Sequence, residues 1–239
     1  AEAFDKVLEL NPNDYEALIR QGNAYIKLKE YTKSLNACEK AIQIKQNEAY
    51  AWNCKALALQ NSQQYEAALE AHNTAIQLDA KSAVFWNNRG DTQLKLKQYD
   101  KAIADFDNAI LFDDKSDKDK SSVYLYNRGK ALYESGKYLE AIASFDDAIN
   151  LNLNYHYAWT GRGNALRLSG KYEESVAAYD RAIQIAPKDY ESWYSKCLSL
   201  EKLDKIDEAI ESCNQAIQLE PKNPAAIDAK HRLEKKLGR

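Results

Sequence analysis

The chain has no methionine, and it is poor in the residues that interrupt or crosslink a fold: four prolines, eight glycines, four cysteines and three histidines in 239 residues. With alanine at position 1 it reads as a segment of something longer. Four cysteines over this length make no disulfide framework. The lack of secretory features points to a reducing, cytoplasmic setting. His72, His156 and His231 lie far apart with no ligand spacing, so neither a metal site nor a cofactor is expected. There is no phosphate-binding glycine loop and no nucleophile elbow, so the chain is not expected to be an enzyme. No apolar run approaches the roughly 18 residues of a membrane span, and no signal-peptide core opens the chain. Charge of one sign is missing too. Lys and Arg number 33 against 36 Asp and Glu, dispersed and netting −3, which leaves no stripe for nucleic acid.

What is present is repetition. LYNRGKALYESGKYLEAIASFDDAINLN, from Leu125 to Asn152, is followed in register by WTGRGNALRLSGKYEESVAAYDRAIQIAP, from Trp159 to Pro187. Gly129 returns as Gly163, Ala131 as Ala165, Gly136 as Gly170, Tyr138 as Tyr172 and Ala148 as Ala182, a period of 34 residues. A fixed period of this size marks a repeat array. It extends to six units, 15–48, 49–82, 83–116, 122–155, 156–189 and 190–223.

Small residues form columns in these units. One is Gly22, Ala56, Gly90, Gly129, Gly163, Cys197; another is Ser34, Ala68, Ala102, Ala141, Ser175, Ala209. Large residues fill the columns between, including Trp52, Trp86, Trp159 and Trp193. Within each half unit the apolar residues recur at i, i+3, i+4 and i+7, the signature of an amphipathic helix. Glycine in Ser135-Gly136-Lys137 and Ser169-Gly170-Lys171 can end the first helix. Pro12, Pro187 and Pro221 fall after the second, where proline stops a helix at little cost. The expected fold is all-α.

These columns resemble the tetratricopeptide repeat, a 34-residue helix–turn–helix unit. The resemblance covers essentially the whole chain and implies an α-solenoid, a right-handed superhelix of stacked antiparallel helix pairs. Residues 1–14 match only the second helix of a unit, a half repeat. Phe4, Val7 and Leu8 would there pack on a first helix that is absent, so self-association through the N-terminal end is expected. Residues 117–121 are an inserted linker within the acidic stretch DDKSDKDKSS, which lacks the glycine and final glutamate of a calcium loop. Residues 224–239 form a capping helix of the kind repeat arrays need.

The resemblance also implies that the first helix of each unit lines a concave face. Carried over, its groove positions are Asn23, Asn53, Asn87, Asn88, Asn127 and Asn164. Tyr50, Tyr126, Tyr133, Tyr157 and Tyr194 lie beside them, with Lys27, Lys95, Lys130 and Arg167. Asparagine both donates and accepts, which suits the main chain of an extended peptide. Tyrosine offers large contact area at low entropy cost. The chaperone-tail clamp of the family is not reproduced in any frame of the repeats.

Two smaller readings concern the interior. Arg89, Arg128 and Arg162 each have an aspartate 18 residues on, Asp107, Asp146 and Asp180, which predicts an ion pair inside each helix pair. Cys38, Cys213 and His72 share one aromatic column and Cys197 lies in the glycine column, so the cysteines read as small apolar fillers, with a Cys197–Cys213 bond across one helix pair geometrically conceivable. The function expected is a non-enzymatic scaffold taking a peptide or partner helix in its groove. A regulatory segment of a larger enzyme, such as a bacterial kinase or protease-like protein, and a self-assembling array stay open.

Overall fold

The computed structural model describes residues 2–238, and all regular structure among them is helical. The chain divides into two units. The first, Ala1–Asp114, holds α1 (Glu2–Leu10), α2 (Tyr15–Lys27), α3 (Tyr31–Ile44), α4 (Ala49–Asn61), α5 (Tyr65–Leu78), α6 (Ala83–Lys95) and α7 (Tyr99–Leu111). The second, Lys115–Arg239, holds α8 (Lys118–Glu134), α9 (Tyr138–Leu151), α10 (His156–Leu168), α11 (Tyr172–Ile185), α12 (Tyr190–Lys202), α13 (Ile206–Leu219) and α14 (Pro224–Lys236). Within each unit every helix packs on the next in sequence. The first helices of successive repeats also touch one another, as α2 with α4 and α10 with α12.

Five of the six repeats begin their first helix at the residue where the period begins: Tyr15, Ala49, Ala83, His156 and Tyr190. The fourth starts earlier. Residues 118–121, expected as linker, are the first turn of α8, because Asp117 caps it by accepting from the Lys120 amide at 3.1 Å. Ser121 and Ser122 are buried in that turn.

A single turn joins the two helices of every pair. In the first, the Glu30 amide returns to the Tyr25 carbonyl and Lys29 to Ile26, both at 2.9 Å. This is a Schellman closure, which needs its central residue in the left-handed region. Gly136 (φ 84°) and Gly170 (φ 81°) occupy that position without strain, whereas Lys29, Gln63, Lys97 and Asp204 are held there at φ 57–64°. A side chain in that region costs roughly 1–2 kcal/mol. Each of Lys29→Gly, Gln63→Gly, Lys97→Gly and Asp204→Gly is therefore expected to stabilise the fold by about 1 kcal/mol. Urea denaturation reads this out, and a loss of stability in these variants would contradict it.

The core is built by rings seated on small residues. The Phe145 ring packs against two helices: a Cβ on Gly129 of α8 would come within 2.7 Å of it, and so would one on Gly161 of α10. The tryptophans do a second job that their column did not announce. The indole N–H of Trp52, Trp86, Trp159 and Trp193 donates to the carbonyl six residues earlier, at 2.8–3.0 Å, tying each first helix to the loop before it.

The cysteines are not unbonded fillers. Cys38 on α3 is joined to Cys54 on α4, and Cys197 on α12 to Cys213 on α13. Their Cα atoms are 5.7 and 5.4 Å apart, within disulfide reach. Cys38 stands where Phe145 stands three repeats on, and a Cβ on Gly22 would meet both sulphurs of its bridge. Where the ring is lost, two sulphurs fill the space, because the columns on either side of the ring face each other.

The predicted Arg–Asp pairing is also corrected. Arg89 bonds Asp105 through two nitrogens at 2.7 Å rather than Asp107, and Arg128 donates to Ser144. Asp146 pairs with Arg162 and Asp180 with Lys196, each across to the first helix of the next repeat, as Glu39 does with Lys55. Asp146 stands 18 residues after Arg128 and 16 before Arg162, and the shorter span wins.

Candidate functional site

First-helix side chains of the N-terminal unit form a hydrogen-bonded row. Asn23 and Lys27 on α2 are exposed. Asn53 on α4 is only 7% exposed, and its oxygen accepts from the Asn88 amide of α6 at 3.0 Å. Two helical turns on, Gln60 of α4 donates to Asp91 at 2.5 Å and accepts from Thr92 at 2.9 Å. Asn53 therefore spends its polar group on stacking α4 against α6 and offers little to a partner. Asn87 is half-buried on α6, and Lys95 is exposed at its end. Tyr50, 57% exposed, leans edge-on against Phe85 and borders a 380 Å³ hollow with Tyr15, Ile19 and Arg20.

The corresponding face of the C-terminal unit is aromatic. Tyr126 on α8 meets Tyr155 at 5.3 Å and Tyr157 at 6.3 Å, and those two meet at 5.9 Å. Tyr157 is 54% exposed. Burial, then the Glu191 charge, pushes the Tyr126 phenol up to about 12. Tyr133 packs on Tyr138, and Tyr194 stacks on Tyr190. Asn164 accepts from the Tyr179 hydroxyl and donates to Glu191, both at 2.8 Å, which locks its amide. Asn127 and Lys130 are half-buried on α8.

Arg167 opens onto a cavity of 460 Å³ that the repeat columns did not indicate, walled also by Leu168, Tyr172, Leu198, Glu201, Lys202 and Arg232. Arg232 and Lys236 of α14 both donate to Glu201. The Arg232 bond holds the Glu201 carboxyl below its usual range. Treating α14 purely as a cap hid its contribution. Tyr155 was hidden because it sits in a turn outside the helical columns, although NYHY at 154–157 is a visible aromatic cluster.

Among the described residues no three of His, Cys, Asp and Glu are placed to share a metal ion, and no helix is long and apolar enough to cross a membrane. The chemistry on offer is hydrogen bonding, aromatic contact and charge.

Models described as tetratricopeptide repeat match residues 15–48, 81–154, 126–190 and 190–223. No curated protein matches the chain. Among solved structures, PilW, described as a widely conserved type IV pilus biogenesis factor, superposes with a TM-score of 0.81 at 16% identity, covering 90% of this chain and 97% of that one. PilF of Pseudomonas aeruginosa gives 0.77 at 20% identity, over 91% and 97%. YrrB, described as having an unusual peptide-binding site, gives 0.65 at 22% identity, over 82% and 98%.

Proposed function

Since the chain belongs to the tetratricopeptide repeat family, we propose that it is a non-enzymatic scaffold that holds an extended peptide or a partner helix along its first-helix face. The observation that carries this is the Tyr126–Tyr155–Tyr157 cluster, a packed aromatic surface with Tyr157 standing out of it. Exposed aromatic residues backed by packed neighbours are the usual anchors of an interface. Asn127, Lys130, Tyr133 and Tyr194 supply donors, acceptors and further contact area in the same unit. Asn23, Asn87 and Asn88 do so in the other.

Peptides selected on the wild-type protein from a random twelve-residue library give the test. Tyr157→Ala is expected to weaken them by about 30-fold, the scale of an interface hot spot, with the melting temperature unchanged. Unchanged affinity would move binding off this face.

Two buried disulfides persist where no thiol pool reduces them, which favours an oxidising compartment over the cytoplasmic one expected from the sequence. Counting thiols in the denatured, unreduced chain should find none. On α1, Val7 is exposed and Leu10 is 91% exposed, and this end is where a second copy would dock. Light scattering should show concentration-dependent association that Leu10→Glu removes; a monomer at all concentrations would dismiss it.

A further inference from the structure

We propose that the segment held on the C-terminal unit is proline-rich: it lies in the polyproline II form across two tyrosine pairs, with a basic residue at one end. The proposal rests on the first-helix face being the peptide surface, and it names the chemistry of the segment that surface takes.

Tyr126 and Tyr133 stand seven residues apart on α8, so they share one face of the helix, about 10.5 Å apart along its axis. Each is half of a pair. Tyr126 meets Tyr157 of α10 at 6.3 Å, and Tyr133 meets Tyr138 of α9 at 5.8 Å. A polyproline II helix returns to the same side every third residue, after about 9.3 Å. Prolines three apart therefore meet successive tyrosine pairs, and an aromatic lining is what proline-rich segments dock on. A partner helix with anchors seven residues apart would match this spacing as well. Hydrogen bonding separates the two.

Among the described residues nothing accepts from the hydroxyls of Tyr126, Tyr133 and Tyr157. Neither of the first two is sealed from water, and Tyr157 is 54% exposed. Lys130, one turn beyond Tyr126 on α8, adds an ammonium donor. Asn164 of α10 has already spent its oxygen on the Tyr179 hydroxyl. The face thus offers donors between its rings. A helix keeps its carbonyls for its own amides and gives these donors nothing to bond. A proline-rich chain has carbonyls, few N–H groups and no internal hydrogen bonds, so its acceptors are free. Charge marks one end. Glu134 follows Tyr133 at the close of α8, exposed, and among the described residues no cation pairs with it. A lysine or arginine after the last proline fits there.

Calorimetry at low ionic strength with three blocked decapeptides tests this. The first is three Pro-Pro-Ala triplets followed by lysine. The second has alanine for every proline, and the third has glutamate for the lysine. The proline peptide is expected to bind about tenfold more tightly than its alanine counterpart, because its backbone is already ordered. Tyr133→Phe keeps the ring and removes only the donor, and should weaken the proline peptide about fivefold. Tyr50→Phe, in the other unit, should leave it unchanged. Glutamate for lysine should cost about threefold, a difference that Glu134→Gln erases.

Equal binding of the proline and alanine peptides overturns the proposal and gives the face to a helix or to an extended chain of any sequence. Full affinity in Tyr133→Phe overturns it too, and that variant keeps the packing of the ring. A glutamate peptide that binds as well as the lysine one removes the basic end. The groove reading fails separately, through Tyr157→Ala and the library peptides. Should those lose affinity while proline brings no advantage, the groove stands and this inference falls.

Discussion

Changing Gly129 and Gly161 together to alanine is expected to destabilise the protein by more than about 4 kcal/mol, well beyond the sum of the two single changes. Each new methyl would sit 2.7 Å from the Phe145 ring, far inside van der Waals contact, one on α8 and the other on α10. With one methyl in place the ring can slide toward the remaining glycine, so a single change costs about 1–3 kcal/mol of overpacking. Alanine's better helix propensity returns about 1 kcal/mol of that. With both methyls the ring has no direction left. A background of Phe145→Leu should reverse the sign. There the smaller side chain leaves the glycines unopposed, and each Gly→Ala should stabilise by about 0.5–1 kcal/mol. Urea denaturation of the four combinations checks it. Strict additivity of the two alanines would show that the ring is not confined.

Acidification should cost several kcal/mol through His72 alone. Its imidazole is 0% exposed, and neither ring nitrogen has a hydrogen-bond partner. Burial, and then the charge of Arg89, lowers its pKa from 6.5 to about 3. The folded state thus keeps it neutral while the unfolded chain protonates it below 6.5. Its contribution is constant above pH 6.5 and is lost as pH falls from there toward 3, by about 1.4 kcal/mol per pH unit. By about pH 4 the loss amounts to roughly 3 kcal/mol. His72→Leu should abolish this slope and also raise stability at neutral pH by about 1–3 kcal/mol, since two unpaired nitrogens leave the core. Carboxylates titrate over the same range, so the quantity to measure is the difference between wild type and variant at each pH. An identical pH profile in both would mean that His72 protonates without unfolding.

The helices were legible because packing repeats. Every 34 residues the same small-against-large contact must be rebuilt, and the sequence shows it as columns from Gly22 to Cys197. What the columns cannot say is which neighbour each side chain chooses. Asp146 stands 18 residues after Arg128 and 16 before Arg162, and only the stacking of repeats selects Arg162. The same ambiguity hid Cys38–Cys54, a pairing between repeats, and the spending of Asn53 on Asn88. At the candidate site, Tyr126 and Tyr157 stood at groove positions and do cluster. Tyr155 and Arg232 belong to a turn and to the final helix, where the period carries no information.

The bridge from Cys38 to Cys54 has a mechanical consequence. A stack of helix pairs pulled from its ends peels open one repeat at a time, since each repeat is held chiefly by its neighbours. This bridge encloses the loop between α3 and α4, so tension passes through sulphur and never reaches the residues between. The Cys197–Cys213 bridge does the same for the turn inside a single pair. Each removes a separation of 16 residues from the extensible chain, roughly 50 Å of contour length. The second helix of the first repeat therefore stays tied at Cys38 to the first helix of the second. Under load those two helices keep their junction after the residues on either side have been drawn out.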